Sequence, residues 1–147
     1  MEIHSPIFKS GDDIPPQYTC DGEDINPPLT FDAIPVDAKS LVIIMDDPDS
    51  PTGTWTHWLL WNISPNTKEI GEGSVPRGAV QGGTTFGASG YGGPCPGHGK
   101  HRYFFKCYAL DVVLDIPEGS KKEILMESMK GHILAEAEMY GCYQRKK

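Results

Sequence analysis

With 147 residues, 38% hydrophobic and 22% charged, the chain has enough apolar material for one domain around a single core, residues 1–147. A formal net charge of −7 excludes a binder of nucleic-acid backbones, which needs a basic face. No apolar run approaches a membrane span, and the start, MEIHSPIF, lacks the basic and apolar regions of a secretory signal. The expected location is cytoplasmic.

The first forty residues are turn-rich, and their prolines interrupt every helical window, so short extended pieces such as Ile7 to Lys9 and Leu29 to Asp32 are expected. SLVIIMD, Ser40 to Asp46, reads as a central strand buried on both faces. Pro48 and Pro51 must lie beyond its end, because proline cannot join an interior ladder. WTHWLLWNI, Trp55 to Ile63, reads as the next strand. Strict alternation sets Trp55, His57, Leu59 and Trp61 on one face, and Thr56, Trp58, Leu60 and Asn62 on the other.

Residues 71–99 hold most of the glycine, with apolar anchors at Val75, Val80, Phe86 and Tyr91, so they read as functional loops rather than a linker. HRYFFKCYALDVVLD is a long strand with His101, Tyr103, Phe105 and Cys107 on one face. Ser120 and Glu123 offer a capping box for a helix that Gly131 ends or kinks. HILAEAEMYG then suggests a second helix, with Gly141 just past its end. Strands first and helices last make a mainly β, α+β arrangement. The basic tail, Arg145 to Lys147, reads as a solubilising end.

Cys20, Cys95, Cys107 and Cys142 are scattered, without a C-x-x-C pair, and free thiols are expected for all four.

The chemistry concentrates at strand ends. Asp47 and Asp49 follow the first central strand, His57 lies on the next, and His101 and Tyr103 point the same way from a third. GYGGPCPGHG runs between the last two. If the three strands are neighbours, these groups converge on one pocket rim. Imidazole, phenol and loop N–H donors, without lysine or arginine, suit a small oxyanion such as phosphate, sulfate or a carboxylate. Asp47 then either fixes a histidine tautomer or accepts a proton from a P–OH. Binding should strengthen from pH 8 to 6, as the histidines gain charge and the ligand keeps its P–OH.

The stretches DPDSP, HWLLWNI, GYGGPCPGHGKHRYFF and YALD resemble the phosphatidylethanolamine-binding protein family, also called Raf-kinase-inhibitor-like proteins. YTCDGEDINPPL and GHILAEAEMYG resemble its short bacterial and archaeal branch, so the likeness spans essentially the whole chain. It implies a large antiparallel sheet with a smaller sheet on one side and C-terminal helices on the other. It further implies an anion pocket for phosphate-type headgroups, lined by Asp47, Pro51, Trp55, His57, His101 and Tyr103, with Pro94 closing one edge. No cofactor is implied. A kinase or protease partner and a homodimer follow from the same likeness. Where the family often reads P-C-P-P, this chain has Pro94, Cys95, Pro96 and Gly97, so a looser rim is expected.

Two other readings use the same residues. Ser50, His57 and Asp47 could form a hydrolase triad, with Ser89 and Cys95 as further nucleophiles, although no G-x-S-x-G elbow is present. Cys95, His98 and His101 have a spacing that could hold a metal. The binding reading leads: a protein that recognises a phosphorylated small molecule, headgroup or phospho-residue, and not an enzyme.

Overall fold

The computed structural model describes residues 1–145, so the basic-tail reading for Lys146 and Lys147 lies outside the described residues. Two antiparallel sheets form the body. The larger contains β3 (Ser40–Asp47), β4 (Trp55–Ile63), β6 (Val80–Gln81), β7 (His101–Leu110) and β8 (Ile133–Tyr143), in the order β6-β4-β3-β7-β8. The smaller has the order β1-β2-β5, from β1 (Glu2–His4), β2 (Leu29–Asp32) and β5 (Glu69–Ile70). One helix, α1 (Lys122–Met129), and a 3₁₀ turn at Pro16–Tyr18 complete the described elements. Among the described residues, no helix is long and apolar enough to cross a membrane.

The sequence pattern explains the layering. Every residue of β3 is buried, as its β-branched run requires in a central strand covered on both sides. On one side Ile43, Met45, Trp58, Leu60 and Phe105 pack with Leu29 and Phe31 of the small sheet. On the other, Val42, Ile44, Leu59 and Trp61 pack against Leu125 and Met129 of α1. Each fully buried large apolar side chain contributes about 1.5–3 kcal/mol, so the two half-cores together hold the sheet between its covers.

Three expectations are corrected. First, HILAEAEMYG is not a helix: it is β8, paired along its length with β7 from Leu110↔Ile133 to His101↔Tyr143. Ala and Glu favour helix locally, but Ala135, Ala137 and Met139 alternate toward the core, and the ladder outweighs propensity. Gly141 therefore sits inside a strand, opposite Tyr103. A side chain there would collide with Ile14 and Phe8, because residues 10–14 lie close against the outer edge of β8. Gly11 N–H donates to the Tyr140 carbonyl (2.8 Å) and Ile14 N–H to that of Cys142 (2.7 Å). The Cys142 and Tyr140 N–H groups donate back, to the Asp12 carbonyl (2.9 Å) and Ser10 Oγ (3.1 Å).

Second, the capping box does not form. Lys121 is the N-cap, without a side-chain cap bond, and Ser120 Oγ donates to the Pro117 carbonyl (2.6 Å). Third, Cys20 and Cys95 form a disulfide across a separation of 75 residues, while Cys107 and Cys142 are free. The scattered spacing hid this pairing, because the two residues meet only through the fold.

Candidate functional site

The cavity opens where β3, β4 and β7 end together. It measures about 220 Å³ and is lined by Asp47, Pro51, Trp55, His57, His101 and Tyr103, all six named from the sequence. Pro94, the seventh, does not line it. Its carbonyl accepts the Cys20 N–H (3.1 Å), so it holds the loop behind the rim. Ser50, Phe86, Cys95, Pro96 and Gly97 also line the cavity. Of these, Phe86 was visible in the sequence only as an apolar anchor. It comes from the 83–89 loop, which is fixed beside β4 by paired bonds between Thr56 and Thr85 (Thr85 N–H to Thr56 carbonyl, 3.1 Å; Thr56 N–H to Thr85 Oγ1, 2.9 Å).

His57 reaches the cavity through a break in the strand pattern. The β3–β4 register shifts so that Met45 pairs with Trp58 but Asp46 pairs with Thr56. His57 is the extra residue of a bulge. Unbroken alternation would group it with Leu59 and Trp61, which pack against α1. Instead its ring meets Tyr103 edge-on at 5.2 Å, on the small-sheet side, and Phe86 at 5.1 Å. The expected face assignment is corrected accordingly.

The DPDSP turn divides its acids by role. Asp47 Oδ1 accepts the Asp49 N–H (2.8 Å), which fixes the turn. Asp47 Oδ2 accepts from His101 Nδ1 (2.8 Å). Asp49 clamps the start of β7: its Oδ2 accepts the Arg102 N–H and Nε–H, and its Oδ1 accepts from Nη2, each at 2.9 Å. These Arg102 bonds hold the Asp49 carboxyl down at about 2. Asp46 points to the other face, where it meets Lys122 Nζ (2.6 Å) and Thr56 Oγ1 (3.2 Å).

Hydrogen-bond valence decides what the walls can offer. His57 Nδ1 lies 2.7 Å from the Gly92 carbonyl, which can only accept, so Nδ1 carries the hydrogen. Burial, at 4% exposure, pushes the His57 pKa below its ordinary 6.5, against weaker upward pulls from the Gly92 bond and Asp47. The ring is neutral, and Nε2 is left as an acceptor. Burial therefore opposes the charge that the sequence reading assigned to His57 between pH 8 and 6. His101 faces acceptors at both nitrogens, Asp47 Oδ2 and the His98 carbonyl (3.0 Å), and satisfies both only when each nitrogen carries hydrogen. Burial first, then Asp47, raise the Tyr103 pKa far above 10, against a weaker downward pull from the Cys95 backbone, so it keeps its O–H as a donor.

The other two readings lose their geometry. Asp47 bonds His101 rather than His57, and Ser50 Oγ lies 3.2 Å from Thr52 Oγ1. Cys95 has its sulfur in the disulfide, so it is neither a free nucleophile nor a thiolate ligand for a metal with His98 and His101.

Two antiparallel sheets, one helix on the far side among the described residues, and a cavity at the strand ends define a mainly β protein. The chain belongs to the phosphatidylethanolamine-binding protein family, whose profile matches residues 4–144. It is 49% identical to a UPF0098 protein of Methanothermobacter thermautotrophicus over 99% of each chain. Among solved structures, a phosphatidylethanolamine-binding protein homologue from Chlamydia trachomatis, CT736, superposes with a TM-score of 0.96 at 47% identity, covering 99% of this chain and 97% of that one. Escherichia coli YbcL, described as a member of the mammalian PEBP family, gives 0.90 at 29% identity, covering 99% and 98%.

Proposed function

We propose that the cavity binds a small phosphate-type group that retains at least one P–OH, carried by a headgroup or another phosphorylated small ligand. The observation that carries this is the pairing of an acceptor with donors. Neutral His57 offers Nε2 to a P–OH and the Tyr103 O–H can donate to a phosphate oxygen, while His101, whose nitrogens face Asp47 and the His98 carbonyl, donates only where the phosphate takes the place of that carbonyl. Among the described residues, no lysine or arginine lines the cavity, so recognition rests on hydrogen bonds rather than net charge. A cavity of about 220 Å³ suits a phosphate with a short substituent. The family's name, phosphatidylethanolamine-binding protein, describes a phosphate-bearing headgroup, although as a diester that lipid keeps no P–OH near neutral pH.

Binding is favoured over hydrolysis because no hydroxyl or thiol at the cavity is paired with a histidine base. Control of a kinase or protease partner and pairing into a homodimer extend the reading by resemblance. Affinity capture and sedimentation test those two extensions.

Calorimetric titration of phosphate, phosphoethanolamine and sulfate tests the core of the proposal. Free phosphate should bind at about 4 kcal/mol, a millimolar constant. Sulfate, without a hydroxyl near neutral pH, should bind more weakly. Affinity for a monoester should rise from pH 8 to 6 as its dianion gains the proton that makes the P–OH, near pH 6. His101→Ala should lose roughly 1.5–3 kcal/mol of binding. Equal binding of sulfate and phosphate, or unchanged binding by His101→Ala, overturns the assignment.

A further inference from the structure

We infer that the Cys20–Cys95 disulfide is a two-electron switch on the cavity: the oxidised protein binds the phosphate group, reduction weakens that binding, and the bound anion in turn resists reduction. The inference rests on the phosphate reading of the cavity.

The disulfide joins the cavity wall to a loop that is otherwise held elsewhere. Cys95 is exposed and lines the cavity beside Tyr103. Up to Pro94 the two loops have other ties. Tyr91 Oη donates to the Tyr18 carbonyl (2.7 Å), Gly93 N–H to Asp24 Oδ1 (2.8 Å) and Cys20 N–H to the Pro94 carbonyl (3.1 Å). After Pro94 these ties stop. Among the described residues, no loop backbone–backbone hydrogen bond involves residues 95–100. Open space surrounds the Cα of Gly97, and Gly99 has φ +70°. What remains is the disulfide, the buried Pro96, the His98 carbonyl on His101 and the exposed Lys100–Asp13 pair. Cutting the disulfide therefore frees the rim next to the proposed donors, while the loop behind it keeps its bonds.

The step balances with a dithiol as reductant. The dithiol gives two electrons and two protons, the S–S bond breaks into two cysteine thiols, and the dithiol closes to its own disulfide. Linkage makes the coupling reciprocal. If reduction weakens phosphate binding by a factor, saturating phosphate must shift the disulfide equilibrium by the same factor.

The test uses the whole protein in dithiothreitol redox buffers, with and without saturating inorganic phosphate. The oxidised fraction is read by alkylation and mass, and phosphate affinity is measured for each form by calorimetry. The expected result is at least a ten-fold weaker affinity after reduction. The reduction midpoint should move with phosphate to more reducing potential, by about 30 mV for each factor of ten. The double variant Cys20→Ser, Cys95→Ser should bind like the reduced protein, and His101→Ala should lose the phosphate-dependent shift.

If the oxidised protein binds no phosphate, the site reading itself fails. If both forms bind equally and the midpoint does not move, the switch is overturned while the site stands. Tighter binding by the reduced form overturns it also. Collapse of the far-ultraviolet spectrum on reduction overturns it too, because the bond would then hold the fold rather than the rim.

Discussion

Asp46 and Asp47 are adjacent and almost equally buried, at 2% and 3% exposure, yet strand alternation sends them to opposite faces of the large sheet. Asp46 faces α1, where Lys122 meets it at 2.6 Å and Lys106 at 3.8 Å. Asp47 faces the cavity and meets a histidine at 2.8 Å. Lysine partners with flexible stems answer a buried charge and join the helix to the sheet. A histidine partner, held from its other side by a loop carbonyl, presents a fixed ring to a ligand. The same residue type thus serves cohesion on one face and recognition on the other, and the neighbour across the gap decides which.

Substitutions on the two faces should separate these roles. Asp46→Ala should have the largest effect on stability, about 2–3 kcal/mol, because it strands two ammonium groups that can partly recover water. Urea unfolding with an unchanged slope should report that loss, while phosphate binding stays as in wild type. Gly92→Ala comes next, at about 1–2 kcal/mol. Its methyl would lie 2.5 Å from the Phe86 ring, beside the carbonyl that orients His57. Here binding should fall together with stability.

Asp47→Asn should cost only about 1 kcal/mol of stability, since the amide keeps an acceptor for the turn. Its signature should be a flatter pH dependence of phosphate binding, read by calorimetry at pH 6 and 8.

The smallest effect should be a slope of stability with pH. The His57 pKa is depressed in the fold, so the unfolded chain takes up a proton that the native one refuses. Stability should therefore be complete above pH 6.5 and decline as the pH falls below it. Asp49 adds a further loss only as the pH drops from 3.8 toward about 2. Denaturant midpoints between pH 7.5 and 5 should show the histidine slope in wild type and not in His57→Gln.

Much of this arrangement was legible in the sequence. The apolar run of β3, the aromatic run of β4 and the His101–Tyr103 spacing of β7 marked three strands that prove to be neighbours, while the family resemblance, by motif position, named the six side chains that line the cavity. The illegible parts share a physical cause: each depends on what lies across from a residue. β8 reads as helix in isolation because alanine and glutamate favour one, and only the β7 ladder reveals its period of two. The bulge at His57 is a property of the β3–β4 pair rather than of either strand. Cys20 finds Cys95, and Phe86 finds the cavity, only once loops remote in sequence are brought together. Pro94 lies next to the rim in sequence, yet its carbonyl turns to the Cys20 N–H.

The clasp of residues 10–14 on β8 has a consequence for how the chain comes into being. Ser10 and Tyr140 are separated by 130 positions, so their contact carries a high loop-closure cost and cannot exist until residue 140 has been made. On the ribosome residues 10–14 must wait, unpaired, for β8 to emerge. A nascent chain stalled before residue 133 would lack β8 entirely, leaving β7 as an exposed edge open to pairing with another chain. Emergence of β8 is thus the event that seals this side of the sheet.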